Sequence, residues 1–322
     1  MDKKVAIIDL GTNTFHLLFA EWDGAQYNIV YRERLAVKIG MGGINDGIIT
    51  ESGIGRALDA LKKFRDTLHD ADISTVFAFG TSALRNAQNG KEVASLIQSQ
   101  TGIEVNIISG DEEAAYIYYG VRKALEIGKS VSLIVDIGGG SVEFIIGNEK
   151  SIFWKRSFEI GAQRLLERYQ QHDPILPEEV EKLDTYFGLA LKPLFEAIQE
   201  FKPTVLIGSS GTFDTLSEIH CIRYDISQQL HAPETPLTLQ SFRDIFGELL
   251  TKNRAERLQI PGMIEMRVDM IVVACCLIAY LLDHAAFVAV RVSSYSLKEG
   301  VLASLPLTQS FGHPSPKGEG KG

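Results

Sequence analysis

The chain has 322 residues, a formal net charge of −9, 45% hydrophobic residues and 23% charged residues. This length favours two domains, and the composition is ordinary for a globular protein. The negative charge argues against nonspecific nucleic-acid binding, which needs a basic face. The three cysteines do not form the pattern of a disulfide framework, and the strand pattern starts at Val5 without a secretory signal before it. The most apolar segment, Met270–Leu282, is too short to span a bilayer. We therefore expect a cytoplasmic protein with neither nucleic-acid nor membrane partners.

A sharp polar turn interrupts the apolar segment Val5–Trp22. The β-branched and aromatic residues on both sides of the turn predict two strands of a hairpin. Asp9 ends the first strand, and Gly11 lets a ligand approach the backbone closely. The turn therefore offers donors for a phosphate, and we assign these to Gly11, Thr12, Asn13 and Thr14.

The same strand–turn–strand pattern returns in Leu133–Gly147. When Asp136 is aligned with Asp9, the glycine and hydroxyl positions of the two turns coincide. A single unit of this kind is most often an ordinary hairpin, whereas a matched pair indicates two related halves that face a shared cleft. The second turn adds four candidate phosphate donors, which are Gly138, Gly139, Gly140 and Ser141.

The next predicted elements are a third strand, a glycine-rich loop and an amphipathic helix: Tyr27–Val37, Gly40–Gly47 and Glu51–His69. The predicted strand Thr75–Phe79 follows and leads to Thr81, Ser82 and Arg85. Residues just past the carboxyl end of a strand line the ligand crevice of an α/β sheet. Arg85 is therefore either a phosphate clamp, since a guanidinium binds phosphate bidentately, or a solvated residue at a helix start.

Acidic residues begin the helix that follows the predicted strand Glu104–Ile108. Ser109 and Glu112 match a capping box, and acidic residues in a first helical turn also complement the helix macrodipole. The capping box leaves Glu113 unexplained. A carboxylate at the head of a helix, just after a strand, can serve as a general base.

Further along the second half, we predict a long helix, a short strand, an apolar helix, a last strand and a last helix: Glu178–Phe201, Thr204–Ile207, Glu265–Leu282, Phe287–Val292 and Ser296–Ala303. Small residues follow the predicted strand Thr204–Ile207 and lead into a helix. Backbone N–H groups at the start of a helix can bind anions. These candidate anion ligands are Ser209, Ser210, Gly211 and Thr212. Arg164 and Arg267 are candidate cations for the tail of an extended anionic ligand, although we interpret each in the first place as an ordinary surface charge.

Six segments, taken together and in this order, resemble the exopolyphosphatase/guanosine pentaphosphate phosphatase (Ppx/GppA) family: Ile7–Leu18, Gly80–Ala87, Ile108–Val121, Val135–Phe144, Gly208–Thr212 and Leu297–Leu302. This family belongs to the actin–Hsp70–sugar kinase superfamily. The resemblance implies an α/β fold with two RNase H-like (actin-like ATPase) domains flanking a central cleft. We expect the N-terminal domain at residues 1–125, the C-terminal domain at 126–305 and a flexible tail at 306–322.

The resemblance also implies hydrolysis of terminal phosphoanhydride bonds with Mg²⁺ as cofactor. By motif, Glu113 matches the catalytic base, Arg85 matches a phosphate-binding arginine, and two acidic residues, Asp136 and Glu143, match positions tied to metal binding. Asp9 is a further metal candidate. The implied substrate is inorganic polyphosphate or guanosine pentaphosphate (pppGpp), while an ATP-dependent phosphotransferase and a non-enzymatic nucleotide sensor remain alternatives. A homodimer is a candidate assembly, because an apolar segment such as Met270–Leu282 could face a second subunit.

Overall fold

A computed structural model describes residues 4–227 and 232–305. These residues divide into two compact units. The first is formed by the described residues up to Gly120 together with those from Leu297 onward, and the second by Val121–Ser296. The predicted flexible tail lies outside the described residues.

Strands and helices occur in the following order. The strands are β1 Lys4–Leu10, β2 Thr14–Trp22, β3 Tyr27–Ala36, β4 Val76–Gly80, β5 Val105–Ile107, β6 Ser132–Ile137, β7 Val142–Gly147, β8 Ile152–Phe158, β9 Val205–Ser209, β10 Glu234–Thr235 and β11 Ala289–Ser293. The helices are α1 Glu51–Asp70, α2 Ser82–Asn86, α3 Gly90–Thr101, α4 Gly110–Ala124, α5 Ala162–Tyr169, α6 Pro177–Ala190, α7 Lys192–Phe201, α8 Gly211–Arg223, α9 Leu239–Thr251, α10 Arg254–Arg257, α11 Ile271–His284 and α12 Leu297–Ser304.

Each unit is built on one mixed sheet. The first sheet has the strand order β3-β2-β1-β4-β5, and the second has the order β10-β11-β9-β6-β7-β8. In both sheets three consecutive antiparallel strands are extended by two parallel strands. These are β4 next to β1 and then β5 in the first sheet, and β9 next to β6 and then β11 in the second sheet, where the edge strand β10 is antiparallel to β11. The predicted α/β class and the RNase H-like strand arrangement are confirmed.

The last helix, α12, belongs to the first unit, whereas the sequence analysis assigned it to the second domain. Its close packing depends on Gly300, where an added Cβ would lie 1.7 Å from the Tyr116 carbonyl oxygen on α4. Only a residue without a side chain allows the two backbones to approach this closely. A sequence boundary drawn between two halves cannot anticipate such a return of the chain.

Two predicted helices differ in extent from the observed ones. The segment Glu178–Phe201 forms two helices, α6 and α7, which meet at Leu191. Pro193 in the first turn of α7 explains the break, because proline has no N–H and its ring excludes a helical turn before it. The apolar helix begins at Ile271 rather than Glu265, and turns precede it.

Helix α11 lies in the core of the second unit. Every residue from Ile271 to Leu281 is buried among this unit's own side chains. Its apolar composition is therefore explained without a subunit contact, and the homodimer stays a prediction. In the described part of the chain, every helix is too short or too polar to cross a membrane.

Candidate functional site

The two predicted phosphate turns share one backbone geometry. The Gly11 N–H donates to the Thr14 carbonyl over 3.2 Å, and the Gly138 N–H donates to the Ser141 carbonyl over 3.0 Å. An added Cβ would lie 2.9 Å from the carbonyl oxygen in the first turn and 3.0 Å in the second. Both turns therefore need glycine at the same place, and this supports the internal repeat inferred from the sequence.

Helix α5 sets the direction of the second turn. The carbonyl oxygens of Gly138–Gly140 accept hydrogen bonds over 2.9 to 3.1 Å from Gly161 and from the first two residues of α5. Because each peptide group is planar and trans, a carbonyl that points to α5 turns the N–H of the following residue away from it. The N–H groups of Gly139–Ser141 consequently point to the opposite side, as in an anion-binding nest.

Arg164 strengthens this support from inside α5. Its Nε donates to the Gly140 carbonyl over 2.8 Å, and its Nη2 lies 3.2 Å from the Glu159 carboxylate. The residue is only 8% exposed. Burial lowers the pKa of the Arg164 guanidinium, and the charge of Glu159 opposes this shift. The interpretation of Arg164 as an ordinary surface charge is therefore wrong, because only the docking of α5 on the turn buries it.

In the first unit, the loop after β3 supports the first turn. The Asn13 carbonyl accepts the N–H groups of Val37 and Lys38, both over 2.9 Å, and the Thr12 carbonyl accepts that of Gly40 over 3.2 Å. By the same peptide geometry, the N–H that follows each of these carbonyls points away from the loop. The predicted glycine-rich loop therefore begins against the turn.

Arg85 and Glu113 form an ion pair within the first unit. Arg85 Nη1 lies 2.7 Å from Glu113 Oε2 and also donates to the Ile108 carbonyl over 3.2 Å. Arg85 is on α2, just past the end of β4, and Glu113 is in the first turn of α4. The two side chains are 15% and 10% exposed. The structure thus brings together the two residues that the sequence assigned to catalysis.

Glu112, the neighbour of Glu113, caps helix α4. Its Oε2 accepts the Ser109 backbone N–H over 2.9 Å and the Ser109 hydroxyl over 2.7 Å, and its own N–H donates to Ser109 Oγ over 3.2 Å. The predicted capping box is confirmed. Since Glu112 completes the cap at the start of α4, the ion pair of Glu113 with Arg85 is not needed to cap the helix.

A row of polar side chains crosses the second sheet. The residues Ser209, Asp136, Glu143 and Ser157 are successive cross-strand partners on β9, β6, β7 and β8. Directly paired residues point to the same face of a sheet. Ser209 Oγ donates to Asp136 Oδ2 over 2.6 Å, and Ser157 Oγ donates to Glu143 Oε1 over 2.7 Å. The two carboxylates predicted to bind metal are therefore neighbours, and both are buried.

Three serines in and around this row have roles that the sequence analysis did not assign. Ser296 donates its hydroxyl to Asp136 Oδ2, the oxygen that Ser209 also contacts. The hydroxyl of Ser209, predicted to bind phosphate, is thus directed to a carboxylate instead. A signal for Ser296 was present, since small residues follow β11 as they follow other strands. Ser157 gave no signal, because its face and register are known only from the sheet.

The carboxylates of Asp136 and Glu143 fit a magnesium ion. Mg²⁺ prefers hard oxygen ligands and usually keeps several waters, so one or two carboxylates are sufficient. Within residues 4–227 and 232–305, no group of three or more acidic, histidine or cysteine side chains could hold a metal ion. In the first sheet, the cross-strand neighbours of Asp9 are His16 and Phe79, whereas Asp136 is paired with Glu143 in the second sheet.

The remaining predicted phosphate ligands lie at strand ends. Thr81 and Ser82 are buried after β4, and the Thr81 backbone N–H and hydroxyl both donate to the Leu10 carbonyl over 3.4 Å. In the second unit, Ser210 alone separates β9 from α8, and the predicted ligands Gly211 and Thr212 are the first two residues of that helix.

The start of α8 is unusual in its backbone and in its charge. Ser210 has a φ of 74°, a conformation that favours glycine and is often found at functional sites. An added Cβ at Gly211 would lie 1.9 Å from Arg267 Nη2, so a guanidinium packs directly on this backbone. The prediction of Arg267 as an ordinary surface charge is therefore wrong, and the predicted anion loop has a cation beside it.

Comparisons with known protein sequences agree with the motifs. The sequence profile of the Ppx/GppA phosphatase family matches residues 18–309. A putative exopolyphosphatase of Haemophilus influenzae is 27% identical over 303 residues, which cover 94% of this chain and 91% of that protein. A guanosine-5'-triphosphate,3'-diphosphate pyrophosphatase of Pseudoalteromonas translucida is 28% identical over 307 residues, which cover 93% of this chain but only 59% of that protein.

Solved structures show the same similarity. The crystal structure of an exopolyphosphatase from Cytophaga hutchinsonii is 44% identical, with a TM-score of 0.91 and coverage of 94% of this chain and 97% of that one. The Ppx/GppA family member of Aquifex aeolicus is 23% identical, with a TM-score of 0.74 and coverage of 94% and 96%. The second similarity concerns the fold alone.

Proposed function

The chain belongs to the Ppx/GppA phosphatase family, and we propose that it releases terminal orthophosphate from inorganic polyphosphate by metal-assisted hydrolysis. The observation that carries this proposal is the nearly buried pair of Arg85 and Glu113, which combines an anion-binding cation with a carboxylate base. The identity of 44% to an exopolyphosphatase of known structure, over nearly the full length of both chains, supports the choice of substrate.

Hydrolysis of a phosphoanhydride requires an attacking water in line with the bond that breaks. In the proposed reaction, the water oxygen bonds to the terminal phosphorus while the bond from that phosphorus to the bridging oxygen breaks. Glu113 orients the water and accepts its proton. The products are orthophosphate and a polyphosphate chain that is one phosphate shorter.

Charge on the terminal phosphate must be balanced during this step. We assign Arg85 to this role, since a guanidinium donates two parallel hydrogen bonds to phosphate oxygens. Backbone N–H groups of the turns Gly11–Thr14 and Gly138–Ser141 and of Ser210–Thr212 at the start of α8 supply further donors. In this scheme the Ser209 hydroxyl donates to Asp136 and does not bind the phosphate.

The proposed cofactor is Mg²⁺, held by Asp136 and Glu143 either directly or through water. When bound, Mg²⁺ offsets negative charge on the phosphate oxygens. Asp9, in the first sheet, remains a further candidate metal ligand. The support for this assignment is the donor chemistry of two neighbouring buried carboxylates.

A second candidate substrate is pppGpp, which also presents a terminal phosphate. The observation that favours it is the similarity to the Pseudoalteromonas translucida pyrophosphatase, of whose length this chain spans about three fifths. A phosphotransferase and a nucleotide sensor are the more distant alternatives. The phosphotransferase requires an acceptor, and the sensor requires binding without turnover.

The decisive experiment measures orthophosphate release from polyphosphate of several chain lengths and from pppGpp, with Mg²⁺ and with a chelator. We expect acceptor-independent release that is highest with polyphosphate and is lost with the chelator. Faster release from pppGpp would favour the second candidate. Phosphate transfer from ATP only in the presence of an acceptor, or tight binding without turnover, would contradict hydrolysis altogether.

A further inference from the structure

The carboxylate of Asp136 is held from one side by two hydroxyl groups. Ser209, the last residue of β9, donates to Oδ2 over 2.6 Å, and Ser296, between β11 and α12, donates to the same oxygen. All three residues belong to the second unit. The two serines are far apart in sequence and come from different strand ends, so their meeting at one oxygen is a property of the folded unit.

The other oxygen of this carboxylate has a different environment. Among residues 4–227 and 232–305, no donor contacts Asp136 Oδ1. The residue is nevertheless only 6% exposed, and a buried carboxylate requires partners for its charge. One oxygen is thus saturated by protein donors, while the second is available for a ligand.

We propose that Ser209 and Ser296 are positioning residues that orient Asp136 so that Oδ1 faces the Mg²⁺ ion; this rests on the metal assignment in the proposed function. Outer hydrogen bonds of this kind fix the orientation of metal ligands in proteins. A serine hydroxyl has a single hydrogen to donate. Since Ser209 donates it to Asp136, the side chain acts on the metal ligand and not on the phosphate.

Neutral donors suit this task better than charged ones. A lysine or arginine at either position would neutralise Asp136 and so weaken its attraction for a cation. A hydroxyl forms a short hydrogen bond to a carboxylate and fixes its orientation, and the carboxylate keeps its negative charge. Two hydroxyls on one oxygen therefore restrict rotation of the carboxylate without reducing its charge.

The test is binding of Mn²⁺, as a spectroscopic substitute for Mg²⁺, measured from the electron paramagnetic resonance signal of the free ion. We expect Ser296→Ala and Ser209→Ala each to weaken Mn²⁺ binding by roughly 10- to 100-fold. Ser296→Thr keeps the hydroxyl and should restore the wild-type affinity. Ser294→Ala is the matched control, because the Ser294 hydroxyl donates to the Ala232 carbonyl over 2.6 Å in the same loop.

Steady-state kinetics distinguish positioning of the carboxylate from direct binding of phosphate. Under the proposal, the Mg²⁺ concentration for half-maximal activity rises in both alanine variants, while KM for polyphosphate at saturating Mg²⁺ changes less than about threefold. A large rise in that KM for Ser209→Ala would instead identify its hydroxyl as a phosphate ligand. Circular dichroism and the Tm of each variant verify that it folds. If Ser209→Ala fails to fold, Ser296→Ala still tests the proposal, because Ser296 is partly exposed.

Asp136→Asn separates this inference from the metal assignment on which it rests. If the wild-type protein binds Mn²⁺ and Asp136→Asn does not, but both serine variants bind normally, the positioning role is wrong and the metal assignment stands. If Asp136→Asn binds Mn²⁺ as the wild-type protein does, the metal assignment itself is wrong and the positioning role falls with it.

Discussion

Arg85 Nη1 lies 2.7 Å from Glu113 Oε2, and both side chains are largely withdrawn from solvent. A buried charge without a partner is costly, so each residue stabilises the charged form of the other. A phosphate bound to Arg85 would lie beside the carboxylate that we propose as the base, so substituting one residue at a time separates the two roles.

Glu113→Gln should lower kcat by roughly 10²- to 10⁴-fold, because an amide cannot accept the proton of the attacking water. Substrate binding, measured by isothermal titration calorimetry, should change little. Glu112→Gln is the matched control, since glutamine still completes a capping box and should leave turnover intact. Normal turnover in Glu113→Gln, or an equal loss in Glu112→Gln, would exclude Glu113 as the base.

Arg85→Lys should reduce kcat/KM for polyphosphate by about 10²-fold although it keeps the positive charge. Lysine lacks the planar pair of donors that binds phosphate and also holds the Ile108 carbonyl. Arg65→Lys is a suitable control, because Arg65 is exposed and forms its ion pair with its chain neighbour Asp66. If the two variants have the same kcat/KM, the Arg85 guanidinium does not bind the terminal phosphate as proposed.

Gly161→Ala should destabilise the protein by about 1–3 kcal/mol and disturb the second phosphate turn. The new methyl group would overpack the contact between the start of α5 and that turn. It would lie 2.4 Å from the backbone of Gly139 and Gly140. Gly55→Ala, at an exposed position in α1 with no atom within 4 Å, should instead stabilise by about 0.5–1 kcal/mol. Urea denaturation measures the free energy of unfolding of both variants. Equal changes in the two variants would argue against the close packing of α5 on the turn.

His220 should make the protein less stable in mild acid. It is 5% exposed, and burial lowers the pKa of its imidazole below the ordinary value of 6.5. Below that pH the unfolded chain binds a proton that the folded chain resists, so the free energy of unfolding falls as the pH decreases. His220→Gln should flatten this decrease as the pH falls below 6.5.

The comparison for His220 is His69→Gln, since the His69 side chain is 90% exposed. This variant should keep the wild-type slope of stability against pH. Thermal melts at a series of pH values provide the measurement. An unchanged slope in His220→Gln would show that other groups cause the acid sensitivity.

The three cysteine thiols should resist alkylation in the native protein. Cys221, Cys275 and Cys276 are all buried, and burial raises the pKa of Cys276 to about 12 and that of Cys275 well above its ordinary value. Only the thiolate reacts, so iodoacetamide at pH 8 should label none of the three until the chain is unfolded. Mass spectrometry would detect native labelling, which would contradict the burial.

Local features of this protein could be predicted from the sequence because they depend on residues that are close along the chain. The turns at Gly11 and Gly138 are closed by a hydrogen bond across three residues, and the capping box of Ser109 and Glu112 spans the same distance. Alternating and helical patterns predicted most strands and helices for the same reason. The segment around Pro193 shows the limit, since apolar spacing alone suggested one helix where proline divides two.

Sequence by itself determined the fold class, the repeated turns and the identity of Glu113 and Arg85 as candidates for chemistry. Only the tertiary structure decided that Arg164 supports a glycine turn and that Ser296 contacts Asp136. Such contacts depend on strand register and on how helices dock, which join residues distant along the chain, and no local pattern of residue types encodes them.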